Sequence, residues 1–233
     1  MRAALQPLPA ADGVSCFLRL YLAVTEGVAQ KLAGMTFADP RFLARLDVVF
    51  ADLFFAAFDA GRDPPGHRPR AWVPLFELRE RRGVAPLQFA LAGMNAHINR
   101  DLPVALVATC SELGISPTEG SPQHADFLRV NAVLSSVEDA VKQQYLTGWL
   151  RRLDRVVHRF DRLDDVVAMW NVVRARDAAW ANAEALWALR GDHALSARYL
   201  AALDRSVGLA GRGLLLPADT WLQRLARRLP FGR

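Results

Sequence analysis

Apolar residues recur at three- and four-residue spacing through most of this chain, and no segment alternates apolar and polar positions over the length of a strand. The first pattern makes the buried stripe of an amphipathic helix; the second would make a half-buried strand. The stretch DPRFLARLDVVFADLFFAAFDA shows the helical pattern most fully. Asp39 stands at an N-cap position, Pro40 at the first helical position, and the stripe runs to about Ala60. GRDPPGHRPR (61–70) reads as a loop from its Pro and Gly content, and AWVPLFELRERRG as a short helix. A longer helix opens at Pro86 and runs to about Gly114, with Pro103 inside it. After the loop ISPTEGSPQ (115–123), Ser121 and Pro122 start the helix that contains HADFLRVN. Two further helices are predicted at about 149–160 and 163–190. Gly191 stops the second, and Asp192 caps another over 193–207. GLAGRGLLLPAD (208–219) reads as a Gly-rich apolar loop, and TWLQRLARRL as a closing helix. The expected fold is therefore all-α: one domain over residues 1–233, a bundle of eight or nine helices with a pocket between them.

Composition agrees with this and removes several function classes. The chain has 233 residues, 52% of them hydrophobic and 23% charged, enough for a sizeable core and too apolar for a disordered chain. No run of about 18 apolar residues offers a membrane span. The first twenty residues make a poor secretory signal, because Pro and Asp interrupt their apolar part. Cys16 and Cys110, far apart, form neither a disulfide framework nor a zinc motif, so the expected location is the cytoplasm. The formal charge of +5 comes almost entirely from arginine, since Lys31 and Lys142 are the only lysines. The basic runs RERRG, LRRLDRVVHR and LQRLARRLPFGR lack the interleaved aromatics of a single-strand binder, and no specific nucleic-acid partner is expected. No phosphate loop, dinucleotide fingerprint or Gly-x-Ser-x-Gly elbow is present, and no nucleotide cofactor is expected.

The pattern breaks at MNAHINRDLP (94–103), where polar residues interrupt a segment that is apolar on both sides. Buried polar groups are costly without partners, so these side chains must satisfy one another or serve a site. On a helix His97 and Asp101 are i and i+4, on one face. Asn95 and Asn99 are a second such pair on a face rotated by about 160°. One pair can point inward while the other bonds a neighbouring helix. Pro103 removes a backbone hydrogen bond and crowds the carbonyl of Asn99, which predicts a kink where the polar cluster ends. The plain alternative is a hydrogen-bonded core pair. Two further clusters stand out. His124 and Asp126 open a helix whose middle holds Asn131, a poor helix former. In WNVVRARDAAW, Trp170, Asn171 and Arg174 can make an aromatic-walled anion site, since arginine offers a planar fork. Tryptophan at helical spacing is otherwise core.

GMNAHINRDLPVALV, together with DFLRVN, WNVVRARDAAW and LDRSVGLAGRGLL, resembles a family of uncharacterised bacterial proteins named as a domain of unknown function, with a His-Ile-Asn-x-Asp-Leu-Pro core. The resemblance covers roughly residues 40–216. It implies an all-helical fold and draws attention to His97, Asn99 and Asp101, but brings no substrate.

The residues taken together suggest a small-molecule enzyme of non-redox type, a hydrolase, isomerase or cyclase. Asp101 would orient His97 as general base or acid, Asn95, Asn99 or Asn131 would hold a carbonyl or hydroxyl, and Trp170, Asn171 and Arg174 an anionic group. A metal-dependent enzyme is the first alternative, with a divalent ion on His97, Asp101, His124 and Asp126. The second is a non-catalytic binding or scaffold module whose buried polar network fixes helix packing. A pocket open at His97 favours an enzyme, and a sealed, fully bonded cluster favours the module. His97→Ala is expected to abolish function while leaving the fold largely intact.

Overall fold

The computed structural model describes residues 1–60, 68–135 and 171–217, and these are all-helical, with no strand among them. The helices are α1 (Arg2–Leu5), α2 (Gly13–Leu32), α3 (Pro40–Asp59), α4 (Val73–Leu78), α5 (Pro86–Ala96), α6 (Leu102–Leu113), α7 (122–135, as far as it is described), α8 (Val172–Ala188) and α9 (His193–Leu214). The predicted helix at 149–160, the first part of the one at 163–190 and the closing TWLQRLARRL segment lie outside the described residues.

Local chemistry sets most helix starts. Asp12, Asp39 and Asp192 each turn a carboxylate onto the free backbone N–H groups of a first turn, at α2, α3 and α9. Ser121 does the same for α7 through the N–H of His124. The Asp12 carboxylate also receives the Arg79 guanidinium, tying α2 to the end of α4. Gly114 closes α6 in the left-handed region, at φ 67°.

Three elements depart from the sequence pattern. The stretch Gly13–Leu32 is a full helix that the pattern did not single out. The predicted 163–190 helix has a start at Asn171, whose backbone is extended and whose side chain accepts the Arg174 N–H. The predicted loop after 207 is helical through Leu214. Its glycines serve close approach rather than turning: a Cβ on Gly208 would stand 2.6 Å from the Arg70 carbonyl oxygen, and one on Gly211 would touch Pro74 and Asn95. Packing against α4 and α5 outweighs the low helix propensity of glycine.

One core draws residues from α2 through α9, with Phe17, Phe42, Phe54, Trp72, Phe127 and Leu106 among its fully buried side chains. Helix α5 lies between α2 and α9, and α6 lies between α3 and α8. The polar segment 97–101 joins α5 to α6 and touches α3, α8 and α9, so it sits at the centre of the packing.

Candidate functional site

His97–Asp101 is a single π turn inside an otherwise continuous helical rod. The Leu102 N–H reaches back five residues to the His97 carbonyl. A widened turn stands where Pro103 predicts a break in the regular helix, and it carries the chain past the proline, whose ring would crowd a carbonyl in a regular α turn. Such π turns are rare in helices and frequent at functional sites.

The two polar pairs face different ways. The Asn95 amide donates to the Val207 carbonyl on α9 at 2.9 Å, and its oxygen accepts from Asn99 at 3.1 Å. This pair fastens α5 to α9. His97 and Asp101 turn inward instead, 1% and 0% exposed. Asp101 Oδ2 lies 3.2 Å from His97 Nδ1 and accepts from Trp72 Nε1 at 2.9 Å, while Oδ1 accepts from Arg100 at 2.9 Å. Arg100 also approaches Asp204, which accepts the backbone N–H groups of Arg70 and Ala71. Three donors therefore hold one buried carboxylate.

An ionised Asp101 accepts, so the Nδ1 facing it carries the proton and Nε2, across the ring, is left as a bare acceptor. Nε2 is buried and has no hydrogen-bond partner among the described residues. The imidazole lies flat on Phe50, with centroids 3.6 Å apart and planes 6° from parallel, and the edges of Tyr21, Phe17 and Phe54 surround it. Burial lowers its pKa, and the opposing pull of Asp101 does not restore it, so the ring stays neutral at pH 7.

Two charged groups beyond Asp101 act on this imidazole: Asp47 on α3 and Arg176 on α8. Asp47 is exposed, yet desolvation raises its pKa above the carboxylate value. Asp47 is thus crowded by protein on one side while its side chain still meets solvent. Asp47 makes no hydrogen bond or ion pair among the described residues. Tyr21 is close to the same groups: its hydroxyl bonds no described residue, and its pKa is raised by burial and by Asp47 and Asp101. Phe50, which covers one face of the imidazole, is itself only half-buried. Arg176 is buried, its Nε donating to Asn131 and its guanidinium 4.2 Å from the Phe127 ring centroid.

The other sequence candidates fall elsewhere. Asn131 is buried and bridges Arg176 to Asp177, at 3.0 Å from the latter. Asn171 is spent on capping α8, and Arg174, one turn on, is exposed. Trp170 lies outside the described residues. The four residues considered for a metal are not gathered. Asp126 clamps the backbone N–H groups of Ala38 and Asp39 at the start of α3, His124 accepts from the Gly120 N–H and leans on Trp180, and Asp101 is filled by its three donors. Among the described residues no group of three or more His, Cys, Asp or Glu side chains is arranged to hold a metal.

Five contributors were not singled out from sequence: Tyr21, Asp47, Phe50, Trp72 and Arg176. Two carried a usable signal. Arg176 falls on the apolar stripe Val172, Ala179, Ala183, and Asp47 is one and two turns from Phe50 and Phe54. A charge on a core-facing stripe is out of pattern.

The fold and this centre define an all-helical protein built around a sealed Asp–His pair in a π turn. The chain belongs to a family of unknown function, DUF5995, which matches residues 1–217 and so spans the helices and the polar segment alike. No curated protein and no solved structure matches it. No described helix is long and apolar enough to cross a membrane.

Proposed function

We propose that the protein is a non-redox small-molecule enzyme in which His97 Nε2 is the general base. The observation that carries this reading is the unspent lone pair of Nε2. Asp101, itself held by Trp72 and Arg100, fixes the tautomer and the ring orientation, and the nitrogen left over has no donor to accept from among the described residues. A buried acceptor without a donor is a cost to the fold, and a substrate O–H or N–H is the partner that would relieve it. The low pKa keeps this base free of protons at neutral pH. Substrate would lie in the recess bounded by Tyr21, Asp47 and Phe50 and reach the imidazole by displacing the Phe50 ring. Proton abstraction of this kind serves hydrolysis, isomerisation or cyclisation equally.

A second reading has its own support. The pair is sealed, and Asp101 takes donors from α4 and the π turn, as a network that only fixes helix packing would. The burial also changes what a truncation can report. Alanine at 97 would open a cavity beside Phe50 and orphan Asp101, destabilising the chain in either case. His97→Gln keeps more of the volume and is the better variant. Wild type and His97→Gln, each checked for helical content, should be incubated with the small-molecule fraction of a bacterial extract and followed by mass spectrometry. The enzyme reading expects at least one compound consumed by wild type, its products together equal to it in mass or differing from it by one water. The variant should be slower by roughly 10²–10⁴. No consumption, or equal consumption by both proteins, would overturn it in favour of the packing network.

A further inference from the structure

Among the described residues Arg176 is the one buried guanidinium that acts on the imidazole, and its bonding is incomplete. Its Nε is committed to Asn131, and the face of its guanidinium rests on Phe127. Asn131 is in turn fixed by Asp177, so the fork cannot swing freely. The two terminal nitrogens form no hydrogen bond among the described residues. No ion pair within 4.0 Å joins Arg176 to a described carboxylate; Asp47 and Asp177 act on it from farther away. Burial lowers its pKa to about 10, which leaves it charged at pH 7. A buried, fixed, charged fork whose terminal nitrogens have no described partner is an arrangement that costs stability unless an anion completes it.

We infer that Arg176 is the anion anchor of the recess, its terminal nitrogens gripping a substrate oxyanion, a carboxylate or phosphate, with two acceptor oxygens side by side. This rests on the recess being the substrate site. Asp47 and the Tyr21 hydroxyl, neither bonded to a described residue and coupled to one another electrostatically, then meet a donor and an acceptor on the same small molecule. Asp47 also repels a second negative charge, which favours ligands carrying one. The exposed Arg174, two residues away, takes no part.

The test is the melting temperature of the full chain, titrated with inorganic phosphate and, separately, with propionate at constant ionic strength. Wild type should show a saturable rise with at least one of them, phosphate alone marking a phosphoryl ligand and propionate alone a carboxylate. Arg176→Gln should lose the response or need roughly ten- to a hundredfold more anion, while Arg174→Gln keeps it. Should Arg176→Gln fold poorly, the Nη resonances of arginine-labelled wild type give the same answer, one guanidinium shifting saturably with the anion. No saturable response in wild type, or an equal response in Arg176→Gln, overturns the inference. His97→Gln separates the two proposals: it should still bind the anion, so a failed general base leaves this result standing. Conversely, wild-type turnover without an anion response sinks the anchor alone.

Discussion

Asp101→Ala is expected to cost about 3–5 kcal/mol of stability, the largest loss from any single change in the polar segment. The carboxylate is wholly buried and satisfies three donors: the Trp72 indole, the Arg100 guanidinium and His97 Nδ1. Removing it leaves a cation and two N–H groups facing a cavity that none of them can hydrate fully. For a chain of this length the melting temperature should fall by roughly 6–20 °C. Asp101→Asn separates charge from shape. It keeps the volume and one acceptor but turns an N–H₂ group toward a donor, and should cost less, about 1–3 kcal/mol. Urea denaturation followed by tryptophan fluorescence measures both. A loss below about 1 kcal/mol for the alanine variant would show that Asp101 is not the organising charge described here.

Gly93→Ala is expected to be the other severe change, by overpacking rather than by loss of a bond. Helix α5 crosses α2 at Gly93, where an added Cβ would stand 2.3 Å from Phe17 Cδ2 and 2.7 Å from its Cβ. No carbon pair tolerates that distance, and the near end of Phe17 cannot swing aside as a ring edge can. Phe17 also packs on Tyr21, Phe54 and Trp72 and lies edge-on to His97 at 6.0 Å. Alanine ordinarily stabilises a helix relative to glycine by about 1 kcal/mol. Here the clash should reverse the sign and destabilise by roughly 1–3 kcal/mol or more. The displaced Phe17 should also shift the ring resonances of His97, four residues away on the same rod. A stability equal to or above wild type would mean that α2 and α5 are not in contact at this crossing.

Much of the helical framework was legible because helix caps are local chemistry. Asp39 with Pro40, Ser121 with Pro122, and Asp192 could be read without knowing any neighbour, and each caps as expected. Gly208 and Gly211 were misread because a glycine that permits close packing and one that permits a turn look alike in a sequence; the Arg70 carbonyl that decides between them is more than a hundred residues away. The centre divides in the same manner. That His97 meets Asp101 followed from a four-residue spacing, and that the asparagines turn to another helix followed from the rotation between the pairs. The partners that give the pair its chemistry, Trp72, Phe50, Tyr21 and Arg176, come from helices whose juxtaposition no spacing encodes. Arg174 drew attention ahead of Arg176 because it was matched to Trp170 and not to the apolar stripe of its own helix.

The most direct measurement is a nitrogen-detected NMR titration of His97 in ¹⁵N-histidine-labelled protein, with His97→Gln to assign the signal. The expected result at pH 7 is a neutral ring with the proton on Nδ1 and a bare Nε2, and a midpoint below the ordinary histidine value of about 6.5. The direction follows from burial, which disfavours the imidazolium more than Asp101 favours it. A proton on Nε2 at pH 7, or a midpoint at or above about 6.5, would contradict the picture of His97 as a buried base whose lone pair waits for a substrate proton.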